Sequence, residues 1–161
     1  MYIKQLEIDN FKSFANKVDI PMLQGFTTIS GPNGSGKSNI IDSILFALGL
    51  STSRTLRAEK LFHLISTYNK RNEAFVKVTF GETEDGDFSV ARRIRKSSQG
   101  FNSIYYLDDK IATLSDIHAK LEKYNITPNS YNVMMQGDVM SITNCCLLYT
   151  SPSPRDISGS R

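Results

Sequence analysis

The chain has 161 residues, 40% of them hydrophobic and 22% charged, which matches the size and composition of one ordinary globular domain. Its 19 basic and 16 acidic side chains leave a net charge of +3, too small for bulk charge to indicate nucleic-acid binding. Charges at Lys4, Glu7 and Asp9 exclude a signal peptide, and no apolar run reaches the about 18 residues of a membrane-spanning helix. The two cysteines are adjacent, Cys145 and Cys146, which excludes a disulfide framework. We expect a soluble protein of the reducing cytoplasm.

The first fifty residues predict short strands followed by a helix. Short apolar or alternating runs indicate strands in MYIKQLEID, KVDI and FTTIS, at residues 1–9, 17–20 and 26–30. Apolar residues then recur at helical spacing from Ser38 to Leu48, and Gly49 follows where a left-handed C-cap is expected. The glycine-rich segment therefore joins the third strand to this helix.

The middle of the chain predicts an antiparallel sheet. A short helix is predicted at residues 61–65, LFHLI. Apolar and polar side chains then alternate in two segments, EAFVKVTF at residues 73–80 and DFSVARRIR at residues 87–95, which predicts strands. SIYYLDDKIATL predicts a hairpin that turns at Asp108 and Asp109. No internal repeat is apparent.

A second amphipathic helix is predicted after the sheet. TLSDIHAKLEKYN, residues 113–125, has apolar side chains at helical spacing. Thr113 or Ser115 is the expected N-cap, and Pro128 lies beyond the expected end.

The segment GPNGSGKS, residues 31–38, matches the phosphate-loop pattern G-x-x-x-x-G-K-[ST]. The matching residues are Gly31, Gly36, Lys37 and Ser38. Glycines at 34 and 36 let successive N–H groups turn inward around an anion, and the following helix adds its positive amino-terminal end. Lys37 would reach the β- and γ-phosphates of a nucleotide, and the Ser38 hydroxyl would coordinate Mg²⁺. The alternative is a glycine-rich turn that binds nothing.

Two other segments imitate nucleotide-binding motifs. NKVD, residues 16–19, matches the guanine-reading pattern of GTPases, but it precedes the phosphate loop instead of following it, and a turn entering a strand explains it. IYYLDD, residues 104–109, imitates an apolar strand that ends in a magnesium-binding acid, and an acidic hairpin turn is the favoured alternative. The sequence shows no convincing acidic partner for the phosphate loop.

Four stretches resemble the ATPase head of SMC (structural maintenance of chromosomes) proteins of prokaryotic type. They are IKQLEIDNFKSFANK, GFTTISGPNGSGKSNIIDSILFALGLS, LRAEKL and NVMMQGDVMSI, which occur in this order within residues 1–143. The resemblance implies an α/β fold: the N-terminal lobe of an ABC-type P-loop NTPase head, with mixed or antiparallel strands, which is incomplete without a C-terminal half.

The resemblance also implies which residues act on ATP and Mg²⁺. Those implied to bind the nucleotide are Lys12, Ser13, Gly31, Asn33, Gly34, Ser35, Gly36, Lys37, Ser38, Asn39 and Gln136. Ser38 and Gln136 are the implied magnesium contacts, and Lys37, Gln136 and Arg57 are implied to serve hydrolysis. For Gln136 the alternative is a polar residue in a turn with Gly137, and for Arg57 it is a solvated loop.

Two basic clusters are candidate contacts to DNA. They are Arg54, Arg57 and Lys60, and, more densely, Arg92, Arg93, Arg95 and Lys96. Positive groups of this kind bind phosphates without sequence preference. Alternation places Arg93 and Arg95 on the face opposite Val90 and Ile94, so a solvated strand face explains the second cluster equally well.

The resemblance implies a function for an intact parent protein. ATP binding and hydrolysis there would drive engagement of two identical heads and organise DNA in chromosome condensation and segregation. Kleisin-type accessory subunits, a nucleoid-associated cytoplasmic location and no membrane partner are also implied. The signature motif, the Walker B strand and the catalytic glutamate are missing here, so we expect weak nucleotide binding and no turnover from this chain. The alternatives are a stand-alone ATP-binding regulatory module and a small P-loop kinase.

The expected domain organisation is a head lobe at 1–144 and a non-native or disordered tail at 145–161. CLLYTSPSPRD, residues 146–156, resembles the translation of a transposase-type sequencing adapter, which suggests a truncated reading frame. A natural Ser/Pro-rich tail is the alternative.

Overall fold

Six antiparallel strands form one sheet that carries the rest of the fold. The computed structural model describes residues 1–50, 61–84, 86–98 and 100–127, with only the backbone described at 61 and 62. The strands are β1 (Tyr2–Asp9), β2 (Val18–Pro21), β3 (Glu73–Gly81), β4 (Phe88–Ser97), β5 (Gly100–Leu107) and β6 (Lys110–Ala112). Their order across the sheet is β2-β1-β3-β4-β5-β6. The helices are α1 (Lys37–Leu48), α2 (Leu114–Glu122) and a 3₁₀ helix (Leu61–Leu64).

Most of the predicted elements are confirmed. The hairpin between β5 and β6 turns at Asp108 and Asp109, whose φ values of 49° and 63° are the left-handed pair that a two-residue hairpin turn requires. Thr113 forms a capping box with Asp116 at the start of α2, so the N-cap is Thr113 and not Ser115.

The prediction of a strand at residues 26–30 is wrong. This segment has no strand assignment, and the Phe26 side chain is 96% exposed. A strand needs a neighbouring strand to bond its N–H and C=O groups. In the described ranges the sheet ends at β2, and residues 26–30 have no ladder partner. The apolar run alone therefore could not produce a strand.

The core lies between the inner face of the sheet and α1. Alternation along β1, β3 and β4 sends one set of apolar side chains inward, as predicted for β3 and β4. The inward-facing set is Leu6, Ile8, Val76, Val78, Phe80, Phe88, Val90 and Ile94. Against it α1 packs Leu45, Phe46, Ala47 and Leu48, while α2 adds Ile117 and Leu121.

The carboxyl end of α1 is closed by Gly49. Its N–H donates to the Phe46 carbonyl, and the N–H of Leu50 donates to the Leu45 carbonyl, which is the Schellman arrangement. Gly49 has φ 66°, and a Cβ there would overlap Leu114 Cδ1 and approach the Tyr105 hydroxyl at 3.3 Å. The predicted glycine C-cap is confirmed, and close packing adds a second reason for glycine.

A tight turn at Phe11–Phe14, between β1 and β2 in the chain, contacts α1. It is closed by a hydrogen bond from the Phe14 N–H to the Phe11 carbonyl. Lys12 Nζ lies 2.6 Å from Asp42 Oδ2 in α1, and the two side chains are only 14% and 1% exposed. Ser13 Oγ accepts a hydrogen bond of 2.8 Å from Asn39 Nδ2. The buried ion pair and this bond therefore fix the turn on the helix.

We expect Gly49→Ala to lower the free energy of unfolding by about 3 kcal/mol, because left-handed strain of about 1–2 kcal/mol is joined by overlap with Leu114. The matched control is Gly86→Ala, since Gly86 has φ 87° and open space around its Cβ position. In this control the free energy of unfolding should fall only by the cost of the strained backbone, about 1 kcal/mol. Urea unfolding of both variants measures the difference. Equal losses of unfolding free energy would show that overlap with Leu114 contributes nothing.

We expect Asp42→Asn to lower the free energy of unfolding by about 3 kcal/mol, because it leaves the Lys12 ammonium largely buried without its carboxylate. The control is Glu7→Gln, which breaks the exposed pair of Glu7 and Lys17 and should cost less than about 1 kcal/mol. Urea unfolding compares the two. A loss at Asp42 no larger than the loss at Glu7 would show that the buried pair contributes little.

Candidate nucleotide-binding site

The glycine loop at residues 31–36 leads directly into the amino-terminal end of α1. Gly34 and Gly36 have φ values of 83° and 96°, which other residues rarely adopt. The N-cap is Gly36, no side chain caps the helix, and its first turn has no acidic residue. The N–H groups and the positive end of α1 are therefore available to an anion.

Lys37 closes over this loop. Its Nζ donates to the carbonyl oxygens of Gly31 and Pro32 at 2.7 and 2.6 Å. The ammonium group thus lies at the loop, where it can exchange these neutral carbonyls for the charged oxygens of a phosphate, which form stronger bonds with it.

Serine side chains approach the Cβ positions of the glycines at both ends of the loop. A Cβ at Gly31 would lie 2.9 Å from Ser35 Oγ, and one at Gly36 would lie 3.1 Å from Ser13 Oγ. Ser13 thus contacts the loop from the Phe11–Phe14 turn while it is bonded to Asn39. The structure brings Ser13, Asn39 and the loop together.

The site fits a nucleotide phosphate better than it fits a metal ion alone. No group of three or more His, Cys, Asp or Glu side chains that could hold a metal occurs among the described residues. Ser38 is exposed at the start of α1, so its hydroxyl can supply one ligand to a Mg²⁺ ion that phosphate oxygens also bind.

Several predicted site residues lie outside the described residues. These are Arg54, Arg57, Lys60 and Gln136. Pro128 and the predicted tail at 145–161 also lie outside the described residues. The roles assigned to them, and the division into 1–144 and 145–161, stay predictions.

Asp42 is the residue at this site that sequence reasoning missed. The structure shows Lys12 engaged by its carboxylate, whereas the resemblance implied a nucleotide contact for Lys12. The second oxygen, Asp42 Oδ1, is buried and has no hydrogen-bond partner among the described residues. A signal existed, since an acid between Ile41 and Ile44 interrupts the apolar stripe of α1.

Arg92 requires a correction, because it lies in the interior and cannot be an exposed DNA contact. It is 7% exposed and faces α1, and its guanidinium lies over the rings of Phe46 and Tyr105. Burial lowers the pKa of Arg92, and burial also raises the pKa of the Tyr105 phenol. Alternation puts Arg92 on the same face as Val90, so the pattern already indicated an inward position.

Arg93 and Arg95 lie on the exposed outer face of β4, as alternation predicted. Arg93 lines a hollow of about 380 Å³ in which basic side chains alternate with carboxylates such as Glu7 and Asp9, and Arg95 lies opposite Glu73. A solvated, charge-balanced strand face is therefore what this part of the sheet shows.

A second hollow, of about 310 Å³, is more basic. We call it the basic hollow, and the residues that matter in it are His63, Asn69, Lys70, Arg71, Asn72 and Lys96. No acidic residue in the described part of the chain lines it, although Arg71 also binds the Asp9 carboxylate from its edge with bonds of 2.7 and 2.6 Å. Of the basic-cluster residues that the structure describes, only Lys96 contributes to it.

None of the helices in the described part of the chain has the length and apolar character needed to span a bilayer.

Comparison with known proteins shows that this fold occurs in the ATPase heads of SMC proteins. The chain is 50% identical over 145 residues to the chromosome partition protein Smc of Gloeobacter violaceus, covering 88% of this chain and 12% of that protein. It is 34% identical, with a TM-score of 0.77, to a chain from work on ATP-driven dimerization and DNA-stimulated activation of SMC ATPases, covering 98% and 96% of the two chains. The Smc head of Pyrococcus furiosus bound to the C-terminal domain of ScpA is 36% identical, with a TM-score of 0.78 and coverage of 97% and 40%.

These similarities confirm the expected fold class, the N-terminal lobe of an SMC-type ATPase head. The chain spans only about 12 to 15% of the length of the curated relatives it matches. The model of the RecF/RecN/SMC N-terminal domain matches residues 2–153, and the chain belongs to that family.

Proposed function

We propose that this chain is the ATP-binding part of an SMC head and that the loop at 31–36 binds the phosphates. The observation that carries the proposal is the loop itself: an uncapped helix end lies beneath it, and Lys37 Nζ is held at its carbonyls. This is the arrangement of dipole and charge that a phosphate chain requires.

The proposed roles follow from position. Lys37 binds the β- and γ-phosphates, the loop amides bind the α- and β-phosphates, and Ser38 holds Mg²⁺. When bound, Mg²⁺ neutralises charge on the phosphate oxygens. Ser13 and Asn39 hold the Phe11–Phe14 turn beside the nucleotide. Hydrolysis, with roles for Gln136 and Arg57, belongs to the parent protein, and we expect no turnover from this chain.

The exposed apolar side chains beside the loop support the proposal that the lobe is half of a head. Leu23, Phe26, Ile29 and Ile41, which flank the loop in the chain, are 83%, 96%, 42% and 40% exposed, and a group of exposed apolar side chains is typical of an interaction surface. A C-terminal half packed against this part of the lobe would cover these side chains.

For the parent protein we propose ATP-driven engagement of two heads that organises DNA in chromosome condensation and segregation. The names of the relatives support this, since one head is described with ATP-driven dimerization and DNA-stimulated activation and another with bound ScpA. We further propose a kleisin-type partner and a nucleoid-associated cytoplasmic location for the parent protein. We also propose that 145–161 is not part of the head.

We expect Lys37→Ala to weaken binding of MgATP to the full 161-residue chain at least tenfold, about 1.4 kcal/mol, because the charged contact to the phosphates is lost. Titration of a fluorescent ATP analogue, at millimolar concentrations if necessary, measures it. Lys110→Ala is the matched control, because Lys110 lies at the distant β5–β6 turn. Unchanged affinity in Lys37→Ala would refute the phosphate-loop assignment.

For DNA we propose that the basic hollow contributes contacts to the phosphate backbone. We expect the double change Lys70→Gln with Lys96→Gln to weaken binding to a duplex of about 30 base pairs and to reduce the slope of log K against log salt by about 1.8, because each lost phosphate contact removes about 0.9. Fluorescence anisotropy at several salt concentrations measures the slope.

The control for this experiment is Lys77→Gln with Lys110→Gln, which removes the same charge outside the basic hollow. It should leave the slope nearly unchanged. Equal slopes for the two double variants would mean that only net charge matters and that the hollow has no special role.

A further inference from the structure

Arg92 is a buried cation that has no carboxylate partner among the described residues. Its Nε donates to Ser103 Oγ at 2.9 Å, and its Nη1 lies 3.3 Å from the Phe46 carbonyl oxygen. A buried charge is costly unless other groups stabilise it. The compensation here is therefore distributed over neutral groups.

The groups that compensate Arg92 belong to α1 and β5. The Phe46 carbonyl lies in the last turn of α1, where the helix dipole is negative and favours a cation. The guanidinium carbon lies over two aromatic rings, 4.5 Å from the centroid of Phe46 and 4.6 Å from that of Tyr105. Arg92 therefore joins the end of the helix to the neighbouring strand.

The aromatic contacts continue from Phe46 to the Phe11–Phe14 turn. The Phe46 ring packs against the fully buried Phe11 ring, with centroids 5.1 Å apart. Directly after Phe11 come Lys12, which binds Asp42, and Ser13, which binds Asn39 and approaches the Cβ position of Gly36. The contacts thus form one continuous series from β5 to the end of the phosphate loop.

We propose that Arg92 is a positioning residue for the phosphate loop. By clamping Phe46 it fixes the surface on which Phe11 packs, and Phe11 in turn holds Lys12 and Ser13 against α1 and Gly36. The β4–β5 hairpin is thereby coupled mechanically to the loop. Its consequence for nucleotide affinity rests on the proposed function, whereas the coupling itself does not.

Arginine suits this position because a planar guanidinium stacks on two rings while its N–H groups bond in the plane. Lysine keeps the charge but has no plane to stack, so Arg92→Lys should give an intermediate effect. Arg92→Met keeps much of the length and removes the charge. Arg93→Met is the matched control, because Arg93 is adjacent in β4 but faces outward over the Phe75 ring at 5.2 Å.

The test is hydrogen exchange of the full chain without nucleotide. The amides to follow are those of Lys12, Phe14 and Asn39, which bond the carbonyls of Leu64, Phe11 and Gly36. We expect Arg92→Met to speed their exchange about tenfold, and Arg93→Met to leave it within about twofold of the original chain. Amides of the β1–β2 pair serve as an internal reference and should stay unchanged in both variants.

Two results would overturn the proposal. Faster exchange confined to β4, β5 and the last turn of α1 would give Arg92 a local structural role only. An equal rise at every amide, including the β1–β2 reference, would mean that Arg92 acts through global stability. If Arg92→Met fails to fold, the same amide exchange rates are measured in Arg92→Lys and judged in the same way.

Titration with MgATP separates this proposal from the proposed function. We expect Arg92→Met to weaken MgATP binding about fivefold. If exchange at Lys12 and Asn39 changes as expected but the original chain does not bind MgATP, the positioning role stands and the proposed function fails. If the original chain binds MgATP and exchange in Arg92→Met is unchanged, the positioning role fails and the proposed function stands.

Discussion

The docking of α1 across the inner face of the antiparallel sheet is the constraint on which the rest of the structure depends. At its carboxyl end the helix is closed by Gly49 and clamped by Arg92. Along its length Asp42 and Asn39 hold the Phe11–Phe14 turn. Because the helix is fixed along its length, its amino-terminal dipole points at a defined place, and the glycine loop forms there.

Sequence reasoning succeeded where short-range pattern decides structure and failed where a distant partner decides it. The loop, α1 with its glycine cap and the turn at Asp108 and Asp109 follow from spacing and local backbone preference. Residues 26–30 have the composition of a strand but no neighbour in the described sheet. Asp42 and Arg92 acquire their roles only from Lys12, Phe46 and Tyr105, which spacing along the chain does not place beside them.

The distribution of charge separates two surfaces that the sequence presented as one basic cluster. On the outer face of the sheet, arginines lie among carboxylates, which weakens the local field available to a polyanion. Lys96 instead faces the basic hollow with Lys70, which lies 26 positions earlier in the chain. Arg92 faces inward and stabilises the fold. Adjacent basic residues of one strand can thus serve a solvated face, a surface hollow and the core, because alternation and strand ends separate them.

The proposed function requires the loop at 31–36 to bind phosphate, and the first experiment is a titration of the isotopically labelled chain with MgATP followed by amide NMR. We expect the largest chemical-shift changes at the amides of Gly34, Gly36 and Lys37, as Lys37 Nζ leaves the carbonyls of Gly31 and Pro32. Smaller changes should occur in the Phe11–Phe14 turn. Shifts confined to the basic hollow, or no shifts at millimolar MgATP, would contradict the proposed function.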